Sequence, residues 1–515
     1  MQDDRVLVVE TTRPEDITQR VRKSVVLESG DGGSKVAVRW GYKEACALTD
    51  VLEDVPSPIL RDYEWSSHLP PFEHQKTTAS FLSIRDKAFC FSEQGTGKTA
   101  SVIWAADYLM NIGEIKRVLV LCPLSIMKAA WQQDLFKFAM HRSCDVAHGS
   151  GPLRKKVIAS NAEFVIINYD GLRVVADEIA AGGFDLIVVD EANAYKNAQT
   201  SRWKVLNRLV KATNPRIWML TGTPAAQSPI DAYGLAKLVN PKGCPQYYTA
   251  FRDKVMYKVT QFKWNPKPEA TQIVHEMLQP AIRFTKDECM DLPDVTYIER
   301  EAPLTPQQLK YYKMLQEELA IEAAGERISA VNAATNINKL LQISGGAVYT
   351  DQRDVVEFDV SNRLKVVEEV IEEASNKVLV FVPFTHTLDL LQRRLESKGI
   401  TCGLISGKVS ANKRFALVQK FQSDPDPQVL LIQPQAASHG LTLTAADTII
   451  WYAPVTSVET YLQANARIDR HGQKNAMTIV HIKGSPVEDR LYKMLRGKIT
   501  DHEKLIDMYD AIIKA

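Results

Sequence analysis

Short, unbroken apolar runs recur along the chain at residues 88–91, 118–122, 164–167, 184–189 and 217–220, separated by segments long enough for helices. A strand that alternates apolar and polar residues has one wet face. An unbroken apolar run has none, so these runs read as strands of a parallel sheet covered on both sides. The spacing returns at 377–382, 402–405, 429–432, 448–452 and 477–482. The pattern predicts an α/β chain with two similar halves, over residues 67–240 and 361–500. Residues 241–360 carry helix-length patterns instead, clearest in Pro306-Gln307-Gln308-Leu309-Lys310-Tyr311-Tyr312-Lys313-Met314-Leu315. Near the start, residues 5–10 and 35–40 read as short strands, with a turn at Gly30-Asp31-Gly32-Gly33 before the second. Residues 1–66 are therefore expected to form a small antiparallel accessory module, and residues 501–515 a final helix.

The segments after the apolar runs hold the chemistry. Ala88-Phe89-Cys90-Phe91 leads into Ser92-Glu93-Gln94-Gly95-Thr96-Gly97-Lys98-Thr99, and a helical pattern follows from Ala100. In such a loop the backbone N–H groups of Gly95, Thr96 and Gly97 can face phosphate oxygens, Lys98 can reach the outer phosphates, and Thr99 can hold Mg²⁺. The strict pattern has glycine where this chain has Ser92, so the segment alone also reads as a glycine-rich turn into a helix. The strand before it and the helix after it favour the phosphate loop. The run 184–189 ends in Asp190-Glu191-Ala192-Asn193. An acidic pair at the end of a buried strand is costly unless solvent, a cation or a ligand satisfies it. Asp190 can hold Mg²⁺, and Glu191 can orient or deprotonate an attacking water. Near the end, Gln463-Ala464-Asn465-Ala466-Arg467-Ile468-Asp469-Arg470-His471-Gly472-Gln473 offers two arginines three apart. On one helical face, both could reach the same phosphate.

In this order the motifs resemble the SWI/SNF-like branch of the superfamily-2 helicases and translocases, from about Pro70 to Lys498, in a compact form similar to bacterial or bacteriophage members. Phe72-Glu73-His74-Gln75 resembles the adenine-reading glutamine motif. Leu121-Cys122-Pro123-Leu124-Ser125-Ile126, with Trp131, resembles the first DNA-contacting motif. Asn168-Tyr169-Asp170-Gly171-Leu172, the acidic box with Lys196-Asn197 after it, and Leu220-Thr221-Gly222-Thr223-Pro224 follow. Arg283-Phe284-Thr285-Lys286 with Leu292-Pro293 is similar to the branch's interlobe signature. Residues 380–385, Ser438-His439-Gly440-Leu441-Thr442-Leu443 and the arginine motif complete the series. The resemblance implies two RecA-like lobes, helical protrusions and a linker between them, ATP and Mg²⁺ as cofactors, and DNA as partner. It implies that Gln75 reads adenine and that Gly440 lies near the nucleotide. Pro123, Asn168, Tyr169, Thr385, Ser406, Gly407 and Thr442 would follow the phosphodiester backbone, while Asn193, Thr221, Thr223 and Gln463 would couple the two functions. Relatives usually carry histidine where this chain has Asn193, and an amide cannot become a cation. Ala466, Asp469 and His471 also replace commoner residues.

Charge changes this picture only locally. Across 515 residues, 63 Lys and Arg offset 62 Asp and Glu, leaving a net charge of +1. Any grip on DNA must then come from clusters such as Arg154-Lys155-Lys156, the set Arg202, Lys204, Arg208, Lys211 and Arg216, or Lys254, Lys258, Lys263 and Lys267. Each also reads as an ordinary solvated face. The seven cysteines are scattered with no CxxC pair, so neither a disulfide framework nor a zinc site is expected. His275-Glu276 lacks the second histidine of a metalloprotease helix, the position being Gln279. With no targeting core or membrane-length run, the expected place is the cytoplasm, or a host cytoplasm if the chain is viral.

The reading is an ATP-dependent translocase on DNA, most simply duplex or forked and independent of sequence, acting as a monomer. Three alternatives stay open: a strand-separating DNA or RNA helicase, a restriction-type motor, and an ATP-gated DNA clamp that hydrolyses weakly. The nearest nuclease candidate, Pro293-Asp294 with Glu299-Arg300-Glu301, lacks the lysine such a centre uses.

Overall fold

The computed structural model describes residues 5–30, 33–66, 69–222, 224–225, 228–259, 264–289, 293–325, 330–349, 355–437, 441–470 and 472–497. The chain forms two compact units, Met1–Ala225 with Pro229–Cys289, and Ala226–Ser228 with Met290–Ala515. Residues 241–259 and 264–289 therefore pack with the first unit, and the described residues from 293 with the second.

The first unit begins with an antiparallel sheet of β1 (Val6–Thr11), β2 (Ser24–Gly30) and β3 (Gly33–Arg39), ordered β1-β3-β2. One face buries Val36 and Val38 against Ile17, Ala45 and Leu48 of two short helices. Ile84 belongs to the same core, Tyr42 Oη donates to Ser83 O at 3.2 Å, and an Arg85 guanidinium N–H donates to Glu53 O at 2.9 Å. The module is thus braced on the end of the helix Glu73–Ser83.

Its main sheet comprises β4 (Lys87–Cys90), β5 (Val118–Cys122), β6 (Cys144–Ala147), β7 (Phe164–Asn168), β8 (Leu186–Val189) and β9 (Arg216–Leu220). A hairpin of β10 (Met256–Lys258) and β11 (Trp264–Pro266) precedes a short edge strand, β12 (Ala281–Ile282). The strands run parallel in the order β12-β4-β9-β8-β5-β7-β6. Phe89, Leu119, Leu121, Ile187 and Val189 enter one core, whereas Ala88, Cys90, Val118, Val120, Leu186 and Val188 enter the other. Successive residues of a strand face opposite sides, which is why the runs are apolar throughout.

The second unit repeats the plan. β13 (Val295–Glu301) is an edge strand, and β14 (Ala347–Tyr349) pairs with β15 (Val355–Glu357) as a hairpin. β16 (Lys377–Phe381), β17 (Cys402–Ile405), β18 (Val429–Ile432), β19 (Ala446–Trp451) and β20 (Met477–Lys483) complete a parallel sheet ordered β13-β20-β19-β16-β18-β17. The helix pattern at 306–315 lies in the helix Pro306–Gly325. On β13, Glu299 Oε2 meets Lys483 Nζ at 2.8 Å and Arg300 pairs with Glu373, so these side chains are engaged in ion pairs. No helix among the described residues is long and apolar enough to cross a membrane. Residues 501–515 lie outside the described residues.

Candidate functional site

All strands of the first sheet point the same way, so the segments following β4, β5, β7, β8 and β9 leave from one edge. Register fixes their heights: Cys90 pairs with Leu220, Val189 with both Leu121 and Met219, and Cys122 with Asn168. Ser92–Thr99, Pro123, Asn168-Tyr169, Asp190-Glu191 and Thr221-Gly222 therefore gather along that edge, the position at which open parallel sheets hold their ligands.

The loop after β4 is shaped for phosphate. Gly95 and Gly97 sit at φ +91° and +80°, a left-handed region that glycine enters without strain, and Gly97 caps the helix Lys98–Asn111. A Cβ on Gly97 would also lie 2.1 Å from Gln75 Nε2. Gln75 is buried and works on the loop itself: its Oε1 accepts from Phe72 N at 3.0 Å and its Nε2 donates to Thr96 O at 3.3 Å. His74 Nε2 reaches the same carbonyl at 2.8 Å, and its ring stacks on Phe72. Lys98 Nζ donates to Ser92 O at 2.7 Å and Glu93 O at 2.9 Å. Thr99 follows in the first helical turn.

Ser92, the departure from the strict pattern, has its own task. Its Oγ accepts from Phe284 N at 3.1 Å, while Glu93 N donates to Phe284 O at 2.9 Å and Glu93 Oε2 accepts from Lys286 N at 3.2 Å. The Arg283–Lys286 signature therefore runs as a backbone extension alongside the loop. Sequence reasoning missed both side chains; only the unexpected serine marked the place.

Asp190 follows β8 half-buried, and the loss of solvent around its carboxyl pushes it above the ordinary range; the Trp131 N–H, the Lys98 charge and the Glu191 N–H oppose that shift. Trp131 Nε1 donates to Asp190 Oδ2 at 2.8 Å, and Glu191 N donates to Oδ1 at 2.9 Å. Glu191 sits at φ 48°, a left-handed conformation that is uncommon outside glycine. The Tyr169 hydroxyl donates to the Asp190 carbonyl and reaches the Glu191 carbonyl at 3.3 Å. Thr221 is buried, with its N–H on Cys90 O at 3.1 Å, and the Cα of Gly222 faces Gln94 of the loop. Among the described residues no cluster of three or more His, Cys, Asp or Glu side chains could cage a metal. One fixed carboxylate and a nearby hydroxyl fit Mg²⁺ that arrives with nucleotide phosphates and keeps much of its water shell.

A polar cleft of about 450 Å³ adjoins this corner, lined in part by Tyr169, Arg173, Asn193, Lys196, Asn197 and Arg202. Arg202 lies over the Tyr169 ring at 5.8 Å, and Lys196 Nζ meets Asp231 Oδ2 at 3.1 Å. Other basic candidates are engaged: Arg154 holds Asn168 Oδ1 at 2.9 Å, Lys155 meets Glu178 at 2.5 Å, and Arg216 meets Asp86 at 2.8 Å. Lys204, Arg208 and Lys211 are exposed on the helix Ser201–Thr213.

In the second unit Arg467 and Arg470 converge. A guanidinium N–H of each donates to Leu441 O, at 3.2 and 3.1 Å, and Arg467 Nε also donates to Gln463 O at 2.7 Å. Thr442, next to that carbonyl, is exposed. Thr385 opens the helix Thr385–Ser397 after β16, and Ser406-Gly407 follows β17, with Gly407 N on Gln433 Oε1 at 3.2 Å. Thr223, Gly440 and His471 lie outside the described residues.

Residues 74–347 match the SNF2-related domain, and residues 362–472 match the helicase conserved C-terminal domain. The chain belongs to the SNF2-related family. It is 26% identical to the mouse chromodomain-helicase-DNA-binding protein 1-like, over 79% of this chain and 46% of the relative. It is 24% identical to an uncharacterized ATP-dependent helicase of Mycoplasma genitalium, over 79% and 39%. The chain thus spans less than half the length of these curated relatives. Among solved structures it is similar to a Sulfolobus solfataricus SWI2/SNF2 ATPase core in complex with dsDNA, at 22% identity and a TM-score of 0.41, over 83% of this chain and 91% of that one.

Proposed function

We propose that this SNF2-related chain is a DNA-dependent ATPase that converts ATP hydrolysis into movement along duplex DNA. The observation that carries the reading is the gathering, at one sheet edge, of the phosphate loop, the Asp190-Glu191 corner and the segments at Pro123 and Asn168-Tyr169. A nucleotide site and a backbone-following surface built on the same strand ends cannot move independently.

In this reading the N–H groups of Gly95, Thr96 and Gly97 cradle the phosphates, and Lys98 exchanges its two carbonyl partners for phosphate oxygens. Gln75, which already fixes the loop through Thr96, borders the adenine. Thr99 and Asp190 hold Mg²⁺, which when bound neutralises charge on the outer phosphates. Glu191 accepts the proton of the attacking water, and its fixed backbone aims the carboxylate. Arg467 and Arg470 stabilise charge on the transferring phosphoryl group, with Gln463 setting the first of them. Pro123, Asn168, Tyr169, Thr385, Ser406, Gly407 and Thr442 follow the phosphodiester backbone. Contacts of that kind fix position without reading bases, so the motor works on any sequence. Relatives named as ATP-dependent helicases support the reading. Cytoplasmic action and a monomeric working form belong to the same proposal.

The test is steady-state ATP turnover with duplex, single-stranded and forked DNA and with RNA, beside a Lys98→Ala variant. Turnover that rises most with duplex or forked DNA and vanishes in Lys98→Ala supports the reading. Equal or stronger stimulation by RNA overturns it in favour of an RNA helicase.

A further inference from the structure

The acidic corner is held by two aromatic side chains that arrive from other strands. Trp131 lies in the π-helical turn Met127–Gln132 beyond β5, an irregularity that often marks functional positions. Its indole donates to Asp190 Oδ2 at 2.8 Å, leaving the carboxylate a single orientation. Tyr169 follows β7, and its hydroxyl donates to the Asp190 carbonyl and lies 3.3 Å from that of Glu191. Those carbonyls flank the left-handed Glu191, a conformation that a non-glycine residue keeps only when its surroundings over-determine it. The other end of Tyr169 is not buried with the corner. Its ring borders the cleft of Arg173, Asn193, Lys196 and Arg202, and its edge packs on Tyr195 at 5.5 Å.

We propose that Trp131 and Tyr169 are positioning residues that couple occupancy of this polar cleft, and of the turn after β5, to the geometry of Asp190 and Glu191. A phosphodiester backbone lying in the cleft would press on the Tyr169 ring while the same residue's hydroxyl holds the Glu191 turn. This rests on the proposed nucleic-acid-stimulated ATPase. It adds the path by which the polymer reaches the water-handling carboxylate without touching nucleotide.

Tyr169→Phe removes one oxygen and keeps the ring; Trp131→Phe removes the donor and keeps an apolar plug. Four readouts separate positioning from structure: kcat and KM for ATP with and without duplex DNA, affinity for a fluorescent ATP analogue, the gain in that affinity on adding Mg²⁺, and melting temperature. For Tyr169→Phe we expect DNA-stimulated kcat to fall about tenfold, the rate equivalent of one lost positioning hydrogen bond. KM and analogue affinity should stay within about twofold and the melting temperature within a few degrees, with a smaller ratio of stimulated to unstimulated kcat. Trp131→Phe should reduce the Mg²⁺-dependent gain in analogue affinity, a signal that needs no turnover. Full stimulation in Tyr169→Phe together with an unchanged Mg²⁺ gain in Trp131→Phe overturns the proposal. If the parent protein itself shows no stimulation by DNA, the proposed function falls, while lowered basal kcat at unchanged affinity in Tyr169→Phe still supports the positioning role.

Discussion

In the proposed chemistry Glu191 carries two demands in one residue: a carboxylate that must meet water, and a backbone at φ 48° that costs on the order of 1 kcal/mol or more for a side-chain-bearing residue. Its neighbour Asp190 is a half-buried carboxylate with both oxygens engaged. Separating the roles predicts separate phenotypes. Glu191→Gln preserves the fold and the Asp190 contacts, so it should retain ATP binding and lose hydrolysis by about 10²-fold or more; equilibrium binding of a fluorescent ATP analogue beside a turnover assay checks both halves. A second prediction concerns His481, in the core of the second unit. It is fully buried, stacked on Tyr492 at 4.2 Å and bonded to Tyr461 Oη at 2.9 Å, and burial pushes its imidazole down to about 4 from an ordinary 6.5. Above pH 6.5 it is neutral whether folded or unfolded. Between 6.5 and 4 only the unfolded chain takes the proton, so its contribution, on the order of 3 kcal/mol, is lost as pH falls through that window. The melting temperature should drop from pH 7 to pH 4.5, and drop less in His481→Phe; equal slopes would remove His481 as the cause.

Elements explain what could be read in advance. The central strands were legible because burial on both faces writes an unbroken apolar run, as in Val118–Cys122 and Val429–Ile432. Of the edge strands only β17 writes a readable run; the others write nothing so plain. β6 and β13 have one open side and carry Asp145, Glu299 and Arg300, and β12 is only two residues long, so none stood out in the pattern. The phosphate loop was legible because its chemistry sits in eight consecutive residues. The aromatic hold on the acidic corner was not, because Trp131 lies 59 positions and Tyr169 21 positions from Asp190. Ser92 looked like a weakened motif; the structure gives it the amide of Phe284. The arginine motif was legible in spacing, and both side chains do meet one acceptor, Leu441 O. Arg467 is 5% exposed and braces that segment, whereas Arg470 is less buried. If both stabilise the transferring phosphoryl group, Arg470→Ala should lower stimulated turnover by roughly 10³-fold at nearly unchanged melting temperature. Arg467→Ala should lower both. Unchanged turnover in Arg470→Ala, by the same coupled assay, would show the convergence to be structural only.

For the whole molecule the question is what two α/β units on one chain accomplish together. The net charge of +1 gives no long-range pull toward DNA, so affinity must come from local phosphate contacts and should weaken steeply with salt. In the proposed reading the contacts follow the phosphodiester backbone, so movement need not part the bases. The most direct test of the central claim is displacement of a triplex-forming third strand from a duplex on adding ATP, run beside a tailed duplex under the same conditions. The account predicts that the third strand is released, that release requires ATP and Lys98, and that the tailed duplex stays paired. Efficient unwinding of the tailed duplex with the third strand left in place would contradict it.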